Sequence, residues 1–191
     1  MEKKSKFYNS IPGVALGTGL ILLAVFVAMQ FTDEVNWSVS DFIMAGILLF
    51  CTGLAFAFVW KKGITVTYRT AVVFAVLSTF LLVWVNLAVG LIGSGPNAPN
   101  LMYIGVVATG IIGTFRSAFR PAGMERAMYG VVLALGLHTV ITLSIGVYRY
   151  GSSAIGEILL VNGFFAMLFI LSGLCFRFAT QDIPPVKPEG T

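Results

Sequence analysis

VTYRTAVVFAVLSTFLLVWVNLAVGLI, residues 66–92, decides the fold. Beyond Arg69 it holds no charged residue, and it is far longer than a strand. A helix rising about 1.5 Å per residue crosses the roughly 30 Å hydrocarbon core of a bilayer within such a run. Backbone N–H and C=O groups cannot stay unpaired in hydrocarbon, so the run reads as a transmembrane helix. Five more runs of the same character flank it: Gly13–Gln30, Ser40–Trp60, Asn100–Phe119, Ala127–Tyr148 and Ile155–Ala179. The first follows Lys3, Lys4 and Lys6 but exceeds the about 7–15 apolar residues of a secretory signal, and reads as a retained helix.

Composition agrees. Of 191 residues, 58% are hydrophobic and 10% charged, with a mean hydropathy of +0.93, against roughly 25% charged in soluble domains. The expected fold is an all-α membrane protein with six transmembrane helices in one domain over residues 1–180. A short Pro-rich tail over 181–191, with Pro184, Pro185 and Pro188, is expected to be extended.

Charge gives the orientation. Of the twelve Lys and Arg, Lys3, Lys4, Lys6, Lys61, Lys62, Arg69, Arg116, Arg120, Arg126, Arg177 and Lys187 fall on one side of the six spans. Only Arg149 falls on the other, with Asp33, Glu34, Asp41 and Glu157. The positive-inside rule then places both termini in the cytoplasm. The net charge of +4 reads as a topology signal and head-group contact, which excludes nucleic acid as a partner. Trp37, Tyr103, Tyr148 and Tyr150 fit an outer aromatic belt, and Tyr8, Trp60, Tyr68 and Tyr129 an inner one. Trp84 sits deeper, about two turns inside the third span.

Cut into helical hairpins, the chain carries a weak internal repeat. Asp41 precedes Gly46 and Gly53, Asn100 precedes Gly105 and Gly113, and Glu157 precedes Gly163 and Gly173, a spacing suited to three tandem hairpins. Asp41, Asn100 and Glu157 would then cap helix N-termini, or jointly offer an outer site for a polar group. Small residues at helical spacing, Gly13 with Gly17, Gly105 with Thr109 and Gly113, and Asn86 with Gly90 and Gly93, read as packing faces within the chain or between copies.

Polar side chains cluster by depth. At about 1.5 Å per residue, Asn86, Thr142 and Asn162 each lie roughly 9 Å inside the outer boundary, with Asp41 at that boundary. His138, the only histidine, lies one turn deeper than Thr142 on the same face. An intramembrane ionisable group marks a functional site unless a neighbour satisfies it, here Asn86 or Thr142 as interhelical glue. The candidate ligand-binding residues are therefore Asn86, His138, Asn162, Thr142, Asp41 and Trp84. No metal site is expected, and no cofactor is specified. Cys51 near mid-span and Cys175 near the inner end are too far apart for a disulfide and read as buried small apolar residues.

Enzyme chemistry finds little support. Six spans, Gly93-Ser94-Gly95 and a later His138 resemble the rhomboid class of intramembrane serine proteases, which pair a GxSG serine with a histidine. Here Ile92 stands where the first Gly belongs, Ser94 falls in an outer loop, and the Trp-Arg of the first loop is missing. Haem ligation lacks a second histidine, and thiol oxidation lacks paired cysteines. No catalytic residue is assigned.

The segments VAMQFTDEVNWSVSDF (27–42), LLVWVNLAVGLIGSGPNAPNLMYIGV (81–106) and FRPAGMERAM (119–128) resemble small bacterial polytopic integral membrane proteins to which no activity is attached. The resemblance implies a bacterial inner membrane and the same polytopic fold. Two functions remain open: binding or permeation of a small polar or amphipathic ligand through a periplasm-facing pocket, as in a transporter, or an accessory subunit of a larger membrane complex. A homo-oligomer fits either. An intramembrane hydrolase is the third alternative.

Overall fold

A computed structural model describes residues 10–32, 34–63, 65–93, 97–146 and 155–182. Among them are six α-helices and no strand: α1 (Ile11–Ala28), α2 (Val39–Trp60), α3 (Val66–Ala88), α4 (Ala98–Arg116), α5 (Pro121–Ile145) and α6 (Ile155–Gln181). All six are long and apolar enough to cross a membrane. The chain is a multi-pass membrane protein whose outer faces contact lipid. The Pro-rich tail, Ser94 and Arg149 lie outside the described residues.

Helix ends depart from the apolar runs for local reasons. α3 stops at Ala88 instead of Ile92 because Gly90 adopts φ 77°, the left-handed stop that glycine supplies after a helix. Gly90 and Gly93 (φ 63°) therefore belong to a loop, and no helical face joins them to Asn86. α5 starts at Pro121, well before Ala127. Proline is pre-set for the first helical turn, so the helix simply continues past the charged boundary at Glu125 and Arg126. At the other end, α6 runs on to Gln181, two residues past the expected end at Ala179.

The chain divides into two compact units, residues 1–61 and 62–191. In the first, α1 and α2 form an antiparallel hairpin. Their far ends are tied by Lys61 Nζ donating to Ser10 Oγ at 2.7 Å, and Phe26 meets Phe42 edge-on near the turn at 6.4 Å. The close approach is made by Gly53, where a Cβ would lie 2.6 Å from Val14, and Gly46, 3.3 Å from Leu22. Gly13 and Gly17, expected to form a packing face within the chain or between copies, have open space around them among the described residues. Cys51 is exposed on the hairpin instead of buried, and Ala45 is the one buried residue of α2.

In the second unit α6 packs against α3 and α5, and α5 packs in turn against α4. α3 and α4 meet at only a few points, so the three hairpins are not equivalent in packing. Small residues again set the distances. Gly113 lies against Ala127, Gly110 against Val131, and Gly173 against the Tyr129 ring, while Ser172 Oγ donates 2.8 Å to the Ala71 carbonyl where α6 crosses α3. Such contacts take the place of the hydrophobic drive that lipid cannot supply between helices.

One end of this unit gathers the start of α3, the α4–α5 turn and the end of α6. Thr67 Oγ1 donates to Asp182 Oδ2 at 2.6 Å and Tyr68 Oη to the Phe119 carbonyl at 2.9 Å. Tyr68, 2% exposed, is therefore no belt residue. The turn it holds has two consecutive residues at positive φ, Ala118 (47°) and Phe119 (61°), a conformation costing roughly 1–2 kcal/mol per non-glycine residue. Ser117 Oγ accepts from Phe119 N at 3.0 Å and Lys62 sits 5.3 Å over the Phe119 ring, which offsets part of that cost.

Candidate functional site

At the opposite end of the second unit, polar side chains from all four helices are drawn inward. The local scaffold is the segment after α3, residues 89–93, together with Asn97. Asn97 caps α4 by accepting from Asn100 N at 2.9 Å, and its Nδ2 donates to the Ile92 carbonyl at 2.6 Å. The Asn100 side chain turns back under the same loop. Its Oδ1 accepts from Leu91 N (3.2 Å) and Ile92 N (3.0 Å), and its Nδ2 donates to Ile92 O (3.1 Å). Asn100 was expected to cap the helix. It instead binds the loop leading into it, and Asn97 is the cap.

With the first turn of α4 fixed in this way, its carbonyls become attachment points. His138 Nε2, on α5, lies 2.9 Å from the Pro99 carbonyl, and Asn86 Nδ2, on α3, donates to the Asn100 carbonyl at 3.0 Å. A carbonyl oxygen has two lone pairs, so each can accept a side chain in addition to its helical bond. Neither Asn86 nor Thr142 is the partner expected for His138. The histidine is held by backbone, and by Tyr103, whose ring lies 4.1 Å from the imidazole centroid at 35°. Tyr103 then donates to Asn162 Oδ1, on α6, at 2.7 Å.

Tyr103 is the residue that the sequence reading missed by assigning it to the aromatic belt. It is 2% exposed, lies in the core of the unit and links α4 to α6. A signal existed, since Asn100, Tyr103 and Val106 recur at three-residue spacing and form the buried stripe of α4.

The cluster is incompletely satisfied. Asn86 Oδ1, His138 Nδ1, Thr142 Oγ1 and Asn162 Nδ2 are buried atoms without a hydrogen-bond partner among the described residues. An unmade bond at a buried donor or acceptor costs about 1–3 kcal/mol, so four in one cluster is unusual. Thr142 is the clearest case. Ser78, Thr79, Thr109, Thr139, Ser144 and Thr180 each donate to the carbonyl four residues earlier on their own helix. Thr142 is fully buried and forgoes that bond, although its neighbour Thr139 makes it three residues away.

Two further candidates are Asp41 and Trp84. Asp41 belongs to the first unit, where its carboxylate accepts from Ser38 N and Ser38 Oγ, both at 2.7 Å, in a capping box that starts α2. Trp84 is half-buried and stacks on Phe80, one turn away on α3, at 5.8 Å. No protein-family model matches the chain, and no curated protein or solved structure shows significant similarity to it.

Proposed function

We propose that this is a polytopic protein of the bacterial cytoplasmic membrane that binds, and lets pass, a small polar or amphipathic ligand. The site is the cluster of Asn86, His138, Thr142 and Asn162. The observation carrying this reading is the set of four unpartnered buried atoms, one from each of four side chains on three helices. A packing motif satisfies its own polar groups, whereas a binding site holds donors and acceptors open for something else.

The cluster faces the periplasm and both termini face the cytoplasm. In support, Lys62, Arg69, Arg116, Arg120, Arg126 and Arg177 belong to the end of the second unit marked by the Thr67–Asp182 and Tyr68–Phe119 bonds, and positive charge is retained on the cytoplasmic side. The bacterial setting rests on the resemblance of residues 27–42, 81–106 and 119–128 to small bacterial integral membrane proteins.

A second reading is favoured by the first unit. No residue of α1 is buried, and the Gly13–Gly17 step is open, a face suited to another membrane helix in a homo-oligomer or larger complex. Native mass spectrometry of the gently extracted protein separates the two. A reproducible small-molecule adduct that is lost in Thr142→Val supports ligand binding. A bare oligomer, or a co-purifying subunit with exchangeable lipid alone, supports the accessory role and contradicts the first reading.

A further inference from the structure

The open atoms of the cluster are not interchangeable, and their chemistry selects among ligands. A carbonyl oxygen can only accept, so the nitrogen facing Pro99 O carries a proton; in the neutral imidazole this makes His138 the Nε2–H tautomer, with a bare lone pair on Nδ1. The same logic fixes Asn86. The amide atom facing the Asn100 carbonyl must be Nδ2, which leaves Oδ1 as a second bare acceptor. On α6, Asn162 Oδ1 accepts from the Tyr103 hydroxyl, so that amide presents Nδ2, a donor. Thr142 Oγ1 can serve as either.

We infer that the site takes a small uncharged solute that carries both N–H or O–H donors and an acceptor, such as a primary carboxamide or a polyol. Its donors meet Asn86 Oδ1 and His138 Nδ1, and its acceptor meets Asn162 Nδ2, with Thr142 completing whichever is short. This rests on the reading of the cluster as a ligand site and narrows it.

Charged ligands fit worse on both sides. An anion would face two lone pairs, and a cation would face the amide hydrogens of Asn162. Among the described residues no three His, Cys, Asp or Glu side chains converge to hold a metal ion, and Asn86, Thr142 and Asn162 carry no charge to offset one. Burying an unpaired charge costs several kcal/mol, far more than leaving one neutral hydrogen bond unmade. Asn97, Asn100 and Tyr103 nearby are engaged in hydrogen bonds of their own, so the selectivity lies with the four open atoms.

The test is saturation-transfer NMR on the full chain in lipid nanodiscs, with acetamide, glycerol, methylammonium and acetate as probes. Saturable binding of acetamide or glycerol, at least tenfold weaker in Thr142→Val and in Asn162→Ala, with no binding of the two ions, is the expected result. If methylammonium or acetate binds the unaltered protein as well as acetamide does, and Thr142→Val abolishes it, the neutral class is overturned and the ligand site stands. If none of the four probes binds, or if binding ignores Thr142 and Asn162, the ligand site itself is overturned as well.

Discussion

The hydroxyl of Tyr103 on α4 donates 2.7 Å to Asn162 Oδ1 on α6, a bond between two helices that each pack against α5. It holds one wall of the polar cluster and sets which end of the Asn162 amide faces inward. Interhelical hydrogen bonds in membrane proteins average about 0.6 kcal/mol and reach about 1.7 kcal/mol. A double-mutant cycle of Tyr103→Phe and Asn162→Leu, read by unfolding in mixed micelles, should give a coupling in that range. A coupling near zero would mean that the pair does not form in the membrane.

Thr142→Val removes a buried hydroxyl that bonds nothing in the chain and keeps the side chain's shape. In the ligand-free protein it should leave stability unchanged or raise it by up to about 1 kcal/mol, because an unsatisfied group is lost. Thermal unfolding checks this. Destabilisation by more than about 1 kcal/mol would show that Thr142 has a structural partner.

Asn100 ties residues 91–92 to the start of α4: its Oδ1 accepts from Leu91 N and Ile92 N, its Nδ2 donates to Ile92 O, and its backbone N donates to Asn97 Oδ1. Asn100→Ala leaves the buried N–H and C=O of Ile92 short of that side-chain partner and should cost about 2–4 kcal/mol. Hydrogen exchange should reveal it locally, as faster exchange at Leu91 and Ile92. The carbonyl anchors of His138 and Asn86 would loosen with it.

Glycine positions sort sharply. A Cβ on Gly113 would lie 2.8 Å from the Ala127 Cβ and 3.2 Å from its Cα, so backbone must move, and Gly113→Ala should destabilise by about 1–3 kcal/mol. Gly105 has open space, and Gly105→Ala should be neutral or gain up to about 1 kcal/mol of helix propensity. Reversal of that order in an unfolding assay would contradict the α4–α5 packing.

Much of the fold can be read from the sequence, because a bilayer leaves one solution for an apolar run of this length. All six runs are helices. Their ends are harder to read: charge at Glu125 and Arg126 marks a lipid boundary, while Pro121 marks the helix start. The polar cluster was legible in part. Depth alone singles out Asn86, His138, Thr142 and Asn162, since polar groups in hydrocarbon stand out against their surroundings. Their partners could not be read, because the His138 and Asn86 bonds go to backbone carbonyls, and carbonyls carry no sequence signature. Tyr103 was lost to the aromatic belt because a tyrosine near a span end suits an interface and a core equally well until the helix's rotation is known.

His138 is the only histidine, so nitrogen-15 NMR of histidine-labelled protein in bilayers at neutral pH reports on the cluster through one imidazole. The proposed ligand site requires a proton on Nε2, a bare Nδ1, and an Nδ1 resonance that shifts saturably as acetamide is added. A proton on Nδ1 in the resting protein, or an Nδ1 resonance indifferent to acetamide, would contradict it.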